Sequence, residues 1–274
     1  MATLSMKFFS PALQTKTNVN ILIPTPESTL AGHQETFAEC AKTGPFPVLY
    51  LLHGTFGDES DWTRFSRIED YARKYNIVVV MPNCENSCYR DTPAAKNYYT
   101  YVTEELPAMI GWMLPVSQKR EDTFIAGLSM GGSGAFMLGM SRPDLYGYVA
   151  CLSGGFGNTG IKQRKKGSPW AWAFEPGEVT EGTRDDPRWL AKHVRETAEQ
   201  VPALYMCCGT EDFLYEPNCD YRDFLIGEGV SVTWEEGPGI HNWTFWDTYI
   251  KKALDWLPLG EEVKGIGSGN VCKQ

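Results

Sequence analysis

Five short apolar runs, each closed by glycine, proline or a polar turn, constrain this chain more than any other feature. Val48-Leu-Tyr-Leu-Leu52 ends in His53-Gly54, and Ile77-Val-Val-Val-Met81 ends in Pro82. Thr123-Phe-Ile-Ala126 ends in Gly127, Tyr148-Val-Ala-Cys-Leu152 in Ser153-Gly-Gly, and Ala203-Leu-Tyr-Met-Cys-Cys208 in Gly209. A strand with one wet face alternates apolar and polar residues. A run without alternation is covered on both faces, as strands of a parallel sheet are. Between the runs lie stretches of helical spacing. Val102, Leu106, Met109, Ile110 and Met113 form one, with Pro107 marking a kink or restart. Ala135-Phe-Met-Leu138 continues another, and Trp243, Trp246, Ile250, Ala253 and Leu257 make a stripe on the last. The alternation predicts an α/β fold with a mostly parallel, doubly wound central sheet and helices on both faces. Residues 7–10 and 18–24 read as a leading antiparallel strand pair. One long region breaks the rhythm: residues 154–185 are rich in Gly, Pro, Trp and charge, and read as a lid-like insertion. The expected organisation is one domain over residues 1–260 carrying that insertion, followed by a flexible Gly-rich tail at 261–274.

Charge narrows the function classes. Lys and Arg number 25 against 34 Asp and Glu, a net charge of −9, which leaves no electrostatic footprint for nucleic acid. The one basic run, Lys162-Gln-Arg164-Lys165-Lys166, reads as a solvated loop. No stretch approaches the ~20 apolar residues of a membrane span. The start lacks the apolar core of about 7–15 residues that marks a secretory signal, so a cytoplasmic location is expected. The eight cysteines are then expected to be mostly reduced. Cys84 and Cys88 lack a second ligand pair at zinc spacing, and Cys151, Cys207 and Cys208 sit in apolar runs as small core residues. The cysteines give no sign of a metal site.

Chemistry enters at Gly127-Leu-Ser129-Met-Gly131, followed by Gly132. It fits G-x-S-x-G and lies where a strand meets a helix. Such a turn strains the serine backbone, lifts the hydroxyl above the sheet, and aims the next N–H and the helix N-terminus at a developing oxyanion. A serine needs a base, and the base needs an orienting acid. After Ser129 the chain offers only His193 and His241. His241 follows a late strand and the turn Gly237-Pro-Gly239, whereas His193 lies in a polar helical pattern, so His241 is preferred. The run ending at Cys208 leads into Gly209-Thr-Glu-Asp212, which favours Asp212, with Glu211 as its neighbouring rival and Asp220 less well placed. The loop His53-Gly-Thr-Phe-Gly57 follows an early strand and supplies the second oxyanion donor. The backbone N–H groups of Thr55 and Met130 are the expected pair. His53 precedes the serine and suits a structural role in that loop. His33 has no evident partner.

Together these stretches resemble the esterase D-like α/β-hydrolases. VLYLLHGTFGDESDW, IVVVMPN, NYYTYVTEELP, KREDTFIAGLSMGGSGAFMLG, CGTEDFLYEPN and HNWTFW carry the likeness across most of the chain. It is greatest to bacterial tributyrin and acetyl esterases, with feruloyl (cinnamoyl) esterases and S-formylglutathione hydrolases as relatives. The resemblance implies the α/β-hydrolase fold and a serine carboxylesterase with Ser129, Asp212 and His241 as triad, no cofactor, and often a homodimer or homotetramer. Trp170, Trp172 and Phe174 in the insertion are not part of the recognised motifs.

Those tryptophans bear on the substrate. A short acyl ester and a hydroxycinnamoyl ester linked to a sugar compete, and aromatic rings near the site suit the second. His53, Phe56, Trp170, Trp172 and Trp243 are the candidate substrate contacts. Trp62 and Trp189 also fall in segments expected on the active-site side. Thiolester hydrolysis of S-formylglutathione, acyl transfer to an alcohol, and a non-catalytic module on the same fold are the rival readings.

Overall fold

The computed structural model describes residues 1–26, 36–156 and 167–260. His33, the basic run at 162–166, Cys272 and the tail at 261–274 lie outside the described residues, as does part of the insertion.

Eight strands form one sheet: β1 (Ala2–Ser10), β2 (Thr15–Ile23), β3 (Val48–Leu52), β4 (Val78–Pro82), β5 (Thr123–Leu128), β6 (Tyr148–Leu152), β7 (Ala203–Gly209) and β8 (Val232–Gly237). Their spatial order is β1-β2-β4-β3-β5-β6-β7-β8. β1 pairs antiparallel with β2, and β2 antiparallel with β4. Every other pairing is parallel. This is the α/β-hydrolase architecture, with the leading pair forming an antiparallel edge. That pair is longer than its apolar residues suggest, because the exposed Lys7, Lys16 and their neighbours extend the ladder without adding to the core.

Alternation along each buried strand divides the core into two layers. Val48, Tyr50, Leu52, Ile125, Val149, Cys151, Leu204 and Met206 face one layer. Leu49, Leu51, Phe124, Ala126, Ala150, Leu152, Tyr205 and Cys207 face the other. The first is covered by α5 (Leu106–Met113), α6 (Met130–Ser141), α7 (Pro187–Thr197) and α8 (Tyr215–Gly227). The second is covered by α2 (Asp61–Phe65), α3 (Ile68–Tyr75) and α9 (Trp243–Trp256), which follow α1 (Phe37–Cys40) and enclose α4 (Tyr98–Thr100) in the chain. Both faces are therefore dry, as the unbroken apolar runs require.

Pro107 does mark a restart. A π-helical turn at Tyr101–Glu105 runs directly into α5, with the Leu106 N–H on the Tyr101 carbonyl and Pro107 in the first turn of the α-helix. Val102, Leu106 and Ile110 are buried, but Met113 and the neighbouring Trp112 are exposed. The helix ends at Met113, so that residue has no further turn to hold it against the sheet. On α9 Trp246, Ile250 and Ala253 are buried, and so is Leu257 just past its end. Among the described residues no helix is long and apolar enough to cross a membrane.

Candidate active site

Ser129 stands at the turn between β5 and α6 with φ 53° and ψ −116°. A non-glycine residue in that region is strained, and the surroundings must hold it there. The glycines explain how. A Cβ on Gly127 would lie 2.3 Å from the carbonyl oxygen of Gly131, and one on Gly131 would lie 2.5 Å from that of His53. Any side chain at either position would push the helix off the sheet, so the turn closes only with glycine on both sides.

The late strands deliver the partners. β7 ends in a loop carrying Asp212, and β8 ends in a loop carrying His241. His241 Nε2 lies 2.9 Å from Ser129 Oγ, and Nδ1 lies 2.8 Å from Asp212 Oδ2. A carboxylate only accepts, so Nδ1 carries the proton and Nε2 is left as the acceptor for the serine hydroxyl. The Asp212 side chain is fully buried. Burial alone would push its carboxyl up. The hydrogen bond from His241, the Leu214 N–H, the field of the imidazole and the Ser153 hydroxyl together outweigh that, leaving Asp212 below its usual value.

Ser153 and Trp246 close a ring around this pair. Trp246 packs edge-on against the His241 ring at 4.8 Å and donates its Nε1–H to Ser153 Oγ at 3.2 Å. Ser153 is fully buried, at the end of β6, with φ 47°. The indole can only donate, so the serine hydroxyl keeps its own hydrogen for the Asp212 carboxylate.

Two N–H groups face the opposite need. Met130 is the first residue of α6, so its N–H has no intrahelical acceptor. The Thr55 N–H has no protein acceptor among the described residues. The loop carrying Thr55 runs close to the serine: a Cβ on Gly54 would lie 3.6 Å from Ser129 Cβ. The loop is held from behind by His53. That ring is buried, its Nδ1 bonds to the Gly54 carbonyl at 2.7 Å, and its Nε2 accepts the Cys84 N–H at 3.0 Å. Burial lowers its pKa and outweighs the Gly54 bond and the field of Asp58, which raise it.

Other expected residues fall into place differently. His53 has both ring nitrogens occupied inside the protein, so it braces the loop and does not face substrate. Trp62 is buried and donates to the Leu52 carbonyl. Trp243 lies half-buried between Trp62, Phe65 and Trp246, so it belongs to the second core layer. Trp189 stacks on His193 along α7. Glu211 does not meet His241; it accepts the Gly239 N–H and so ties the acid loop to the base loop. Asp220 lies on α8. In the insertion, Trp170 Nε1–H donates to Thr55 Oγ1 at 3.1 Å, while Trp172 is exposed beside Tyr98. Phe56 is exposed and its N–H donates to Asn86.

The sequence reading did not single out Ser153, Phe213 or Arg90. Phe213 follows Asp212 directly and its ring packs on His241. Arg90 is buried beneath the insertion, where it meets Glu178 and Asp185 and stacks on Phe174. Among the described residues no group of three or more His, Cys, Asp or Glu side chains could hold a metal ion.

Comparison with known proteins places this geometry in a family. The Esterase family model, described as "Putative esterase", matches residues 10–257. The chain belongs to this esterase family. It is 32% identical over 266 residues to an acetyl esterase of Caldicellulosiruptor saccharolyticus, covering 94% of this chain and 98% of that protein. Among solved structures it is similar to the substrate-bound fluorophosphonate-binding serine hydrolase F of Staphylococcus aureus. The TM-score is 0.82 at 31% identity, with 93% of this chain and 98% of the other covered. An S-formylglutathione hydrolase (FrmB) of the same organism gives a TM-score of 0.81 at 30% identity, with the same coverage. As a family member the protein is a serine hydrolase of carboxylic esters.

Proposed function

We propose that Ser129 is the nucleophile, His241 the general base and acid, and Asp212 the acid that orients it, in the hydrolysis of short-chain carboxylic esters. The observation that carries this reading is the continuous line from Asp212 Oδ2 through the imidazole to Ser129 Oγ, at 2.8 and 2.9 Å. As Ser129 Oγ attacks the ester carbonyl carbon, its proton passes to His241 Nε2. The carbonyl oxygen becomes an oxyanion facing the Thr55 and Met130 N–H groups, at the positive end of α6. Asp212, held ionised by its hydrogen bonds, stabilises the imidazolium without taking the proton. Collapse breaks the bond to the alcohol, which leaves with the proton from Nε2. Water, deprotonated by the same nitrogen, then releases the acid and regenerates the serine.

The similarity to an acetyl esterase favours an acetyl or butyryl group as the acyl part. A hydroxycinnamoyl group is the alternative within this reading, with the exposed Trp172 as its stacking surface. The similarity to an S-formylglutathione hydrolase favours a second reading, thiolester hydrolysis by the same three residues.

A substrate panel separates these. With purified protein, kcat/KM for p-nitrophenyl acetate and butyrate is expected to exceed that for methyl ferulate and S-formylglutathione by about tenfold or more. A higher value for either of the latter two would replace the short-chain ester as the substrate class.

A further inference from the structure

We propose that Phe213 and Ile240, with Phe56 on the oxyanion loop, form an apolar platform for the leaving alcohol, so that the enzyme selects esters of aromatic or other apolar alcohols over those of charged or polyhydroxylated ones. This rests on the triad reading above and adds the identity of the alcohol.

Isolated exposed hydrophobic residues are ordinary on a protein surface. These three are set apart by position. Each is one residue from a group that faces the reaction: Phe213 follows Asp212, Ile240 precedes His241 and Phe56 follows Thr55. They are 74%, 54% and 81% exposed respectively. Covering exposed apolar side chains such as these with ligand is favourable, because it removes their surface from water.

Two of the three are also held rigidly. The acid and base loops are laced together, with the Thr210 N–H on the Gly237 carbonyl at 2.9 Å and the Glu211 N–H on that of Gly239 at 3.1 Å. The chain around Phe213 is pinned on both sides by Asp212. Its carboxylate accepts the Leu214 N–H at 2.8 Å, and its carbonyl accepts the Tyr215 N–H at 2.9 Å. A ligand that packs on Phe213 therefore pays little ordering entropy.

The chemistry says which part of the substrate this is. The leaving oxygen must come within hydrogen-bond reach of His241 Nε2, about 2.6–3.2 Å, to collect its proton. Phe213 lies against that same imidazole, with ring centroids 4.7 Å apart and planes at 52°. The group bonded to the leaving oxygen thus departs beside the Phe213 ring. Charge points the same way. Besides the buried Asp212, the loops at 53–59, 209–214 and 237–242 contain Asp58, Glu59 and Glu211 and neither Lys nor Arg. Such a rim repels an anionic alcohol or thiol.

The test holds the acyl group and leaving-group reactivity nearly constant: ethyl acetate against 2-phenylethyl acetate. The wild type is expected to favour 2-phenylethyl acetate in kcat/KM by roughly tenfold. Phe213→Ala is expected to remove most of that preference, bringing the two kcat/KM values to within about twofold of each other. Phe213→Leu keeps an apolar surface and should retain part of it. Equal kcat/KM for the two esters in the wild type overturns the proposal. So does an equal fall on both in Phe213→Ala, which would mean that the ring only supports His241. Turnover of neither ester while p-nitrophenyl acetate is still hydrolysed also contradicts it. Failure of the triad reading is a separate result: Ser129→Ala would then hydrolyse both esters at the wild-type rate.

Discussion

The loops that carry Asp212 and His241 and the insertion above them are held by different forces. The two loops are joined main chain to main chain. Residues 210 and 211 donate to 237 and 239, and Gly209 lies so close to Gly239 that a Cβ there would sit 2.2 Å from its carbonyl oxygen. The described part of the insertion, residues 154–156 and 167–185, is instead fastened mainly by a few long side chains. Arg90 Nη1 donates to the Ala173 carbonyl at 2.9 Å, and Arg90 Nη2 to Asp185 at 2.7 Å, with Glu178 completing its shell. Arg184 pairs with Asp91 at 2.9 Å, and Trp170 reaches Thr55. Backbone lacing fixes reacting atoms whatever the neighbouring side chains are. Side-chain clasps can be exchanged without disturbing that frame, which leaves the insertion free to differ where specificity differs.

Four substitutions or conditions test this contrast. The largest effect is expected in the laced region. Asp212→Asn leaves the loop in place but removes the acceptor that sets the His241 tautomer, so kcat should fall by roughly 10²–10⁴-fold with little change in KM. Steady-state kinetics on p-nitrophenyl acetate, with Tm measured alongside, checks it; a loss below about tenfold would break the triad side of the comparison.

Arg90→Met is the corresponding test of the clasp. It removes the buried cation that Glu178 and Asp185 share, and breaking a buried pair in this way costs about 3–5 kcal/mol. The pair is partly exposed on its acidic side, so the lower end is expected. Thermal melts should show a drop of several degrees, and limited proteolysis should cut the insertion faster. The kcat on p-nitrophenyl acetate should change by less than about tenfold. A loss comparable to that of Asp212→Asn would mean that the clasp and the reacting groups are one unit.

Acid acts on the region behind the oxyanion loop. His53 is neutral in the fold and its pKa is lowered by burial, so the unfolded chain binds its proton more readily. Its contribution is complete above the ordinary imidazole value of about 6.5 and is lost as pH falls through the lowered folded value. Each pH unit across that window removes up to about 1.4 kcal/mol, or ~2–4 °C of Tm. Melts from pH 7.5 to 5 should show this slope, and His53→Asn should flatten it.

The smallest effect belongs to the link between the two regions. Trp170→Phe removes one partly buried hydrogen bond to Thr55, worth about 0.5–1.5 kcal/mol. A two- to tenfold fall in kcat/KM is the expected result. No change would show that the insertion does not steady the oxyanion loop.

The same contrast explains what could be read from the sequence. The buried strands, the elbow at Ser129 and the order serine, acid, base are written in local patterns, because strand burial and glycine requirements act over a few residues. Asp212 could be preferred over Glu211 from its place after β7, and the structure gives Glu211 a different task on Gly239. The clasp was not legible. Arg90 meets Glu178 and Asp185 across more than eighty residues, and no spacing rule joins them. Ser153 was read only as the end of an apolar run, since its partners Trp246 and Asp212 come together through the fold. Trp62 and Trp243 were assigned to the substrate side by proximity in sequence to the site. Their rings turn to the second core layer because Trp62 finds the Leu52 carbonyl there.

Ser129 as the sole nucleophile is tested most directly by active-site labelling. Folded wild-type protein incubated with a fluorophosphonate, digested and analysed by peptide mass should carry one adduct, on Ser129. Labelling and p-nitrophenyl acetate hydrolysis should be lost together as the reagent reacts, and both should be absent in Ser129→Ala. An adduct on another residue, or a Ser129→Ala protein that labels and hydrolyses like the wild type, would contradict the account.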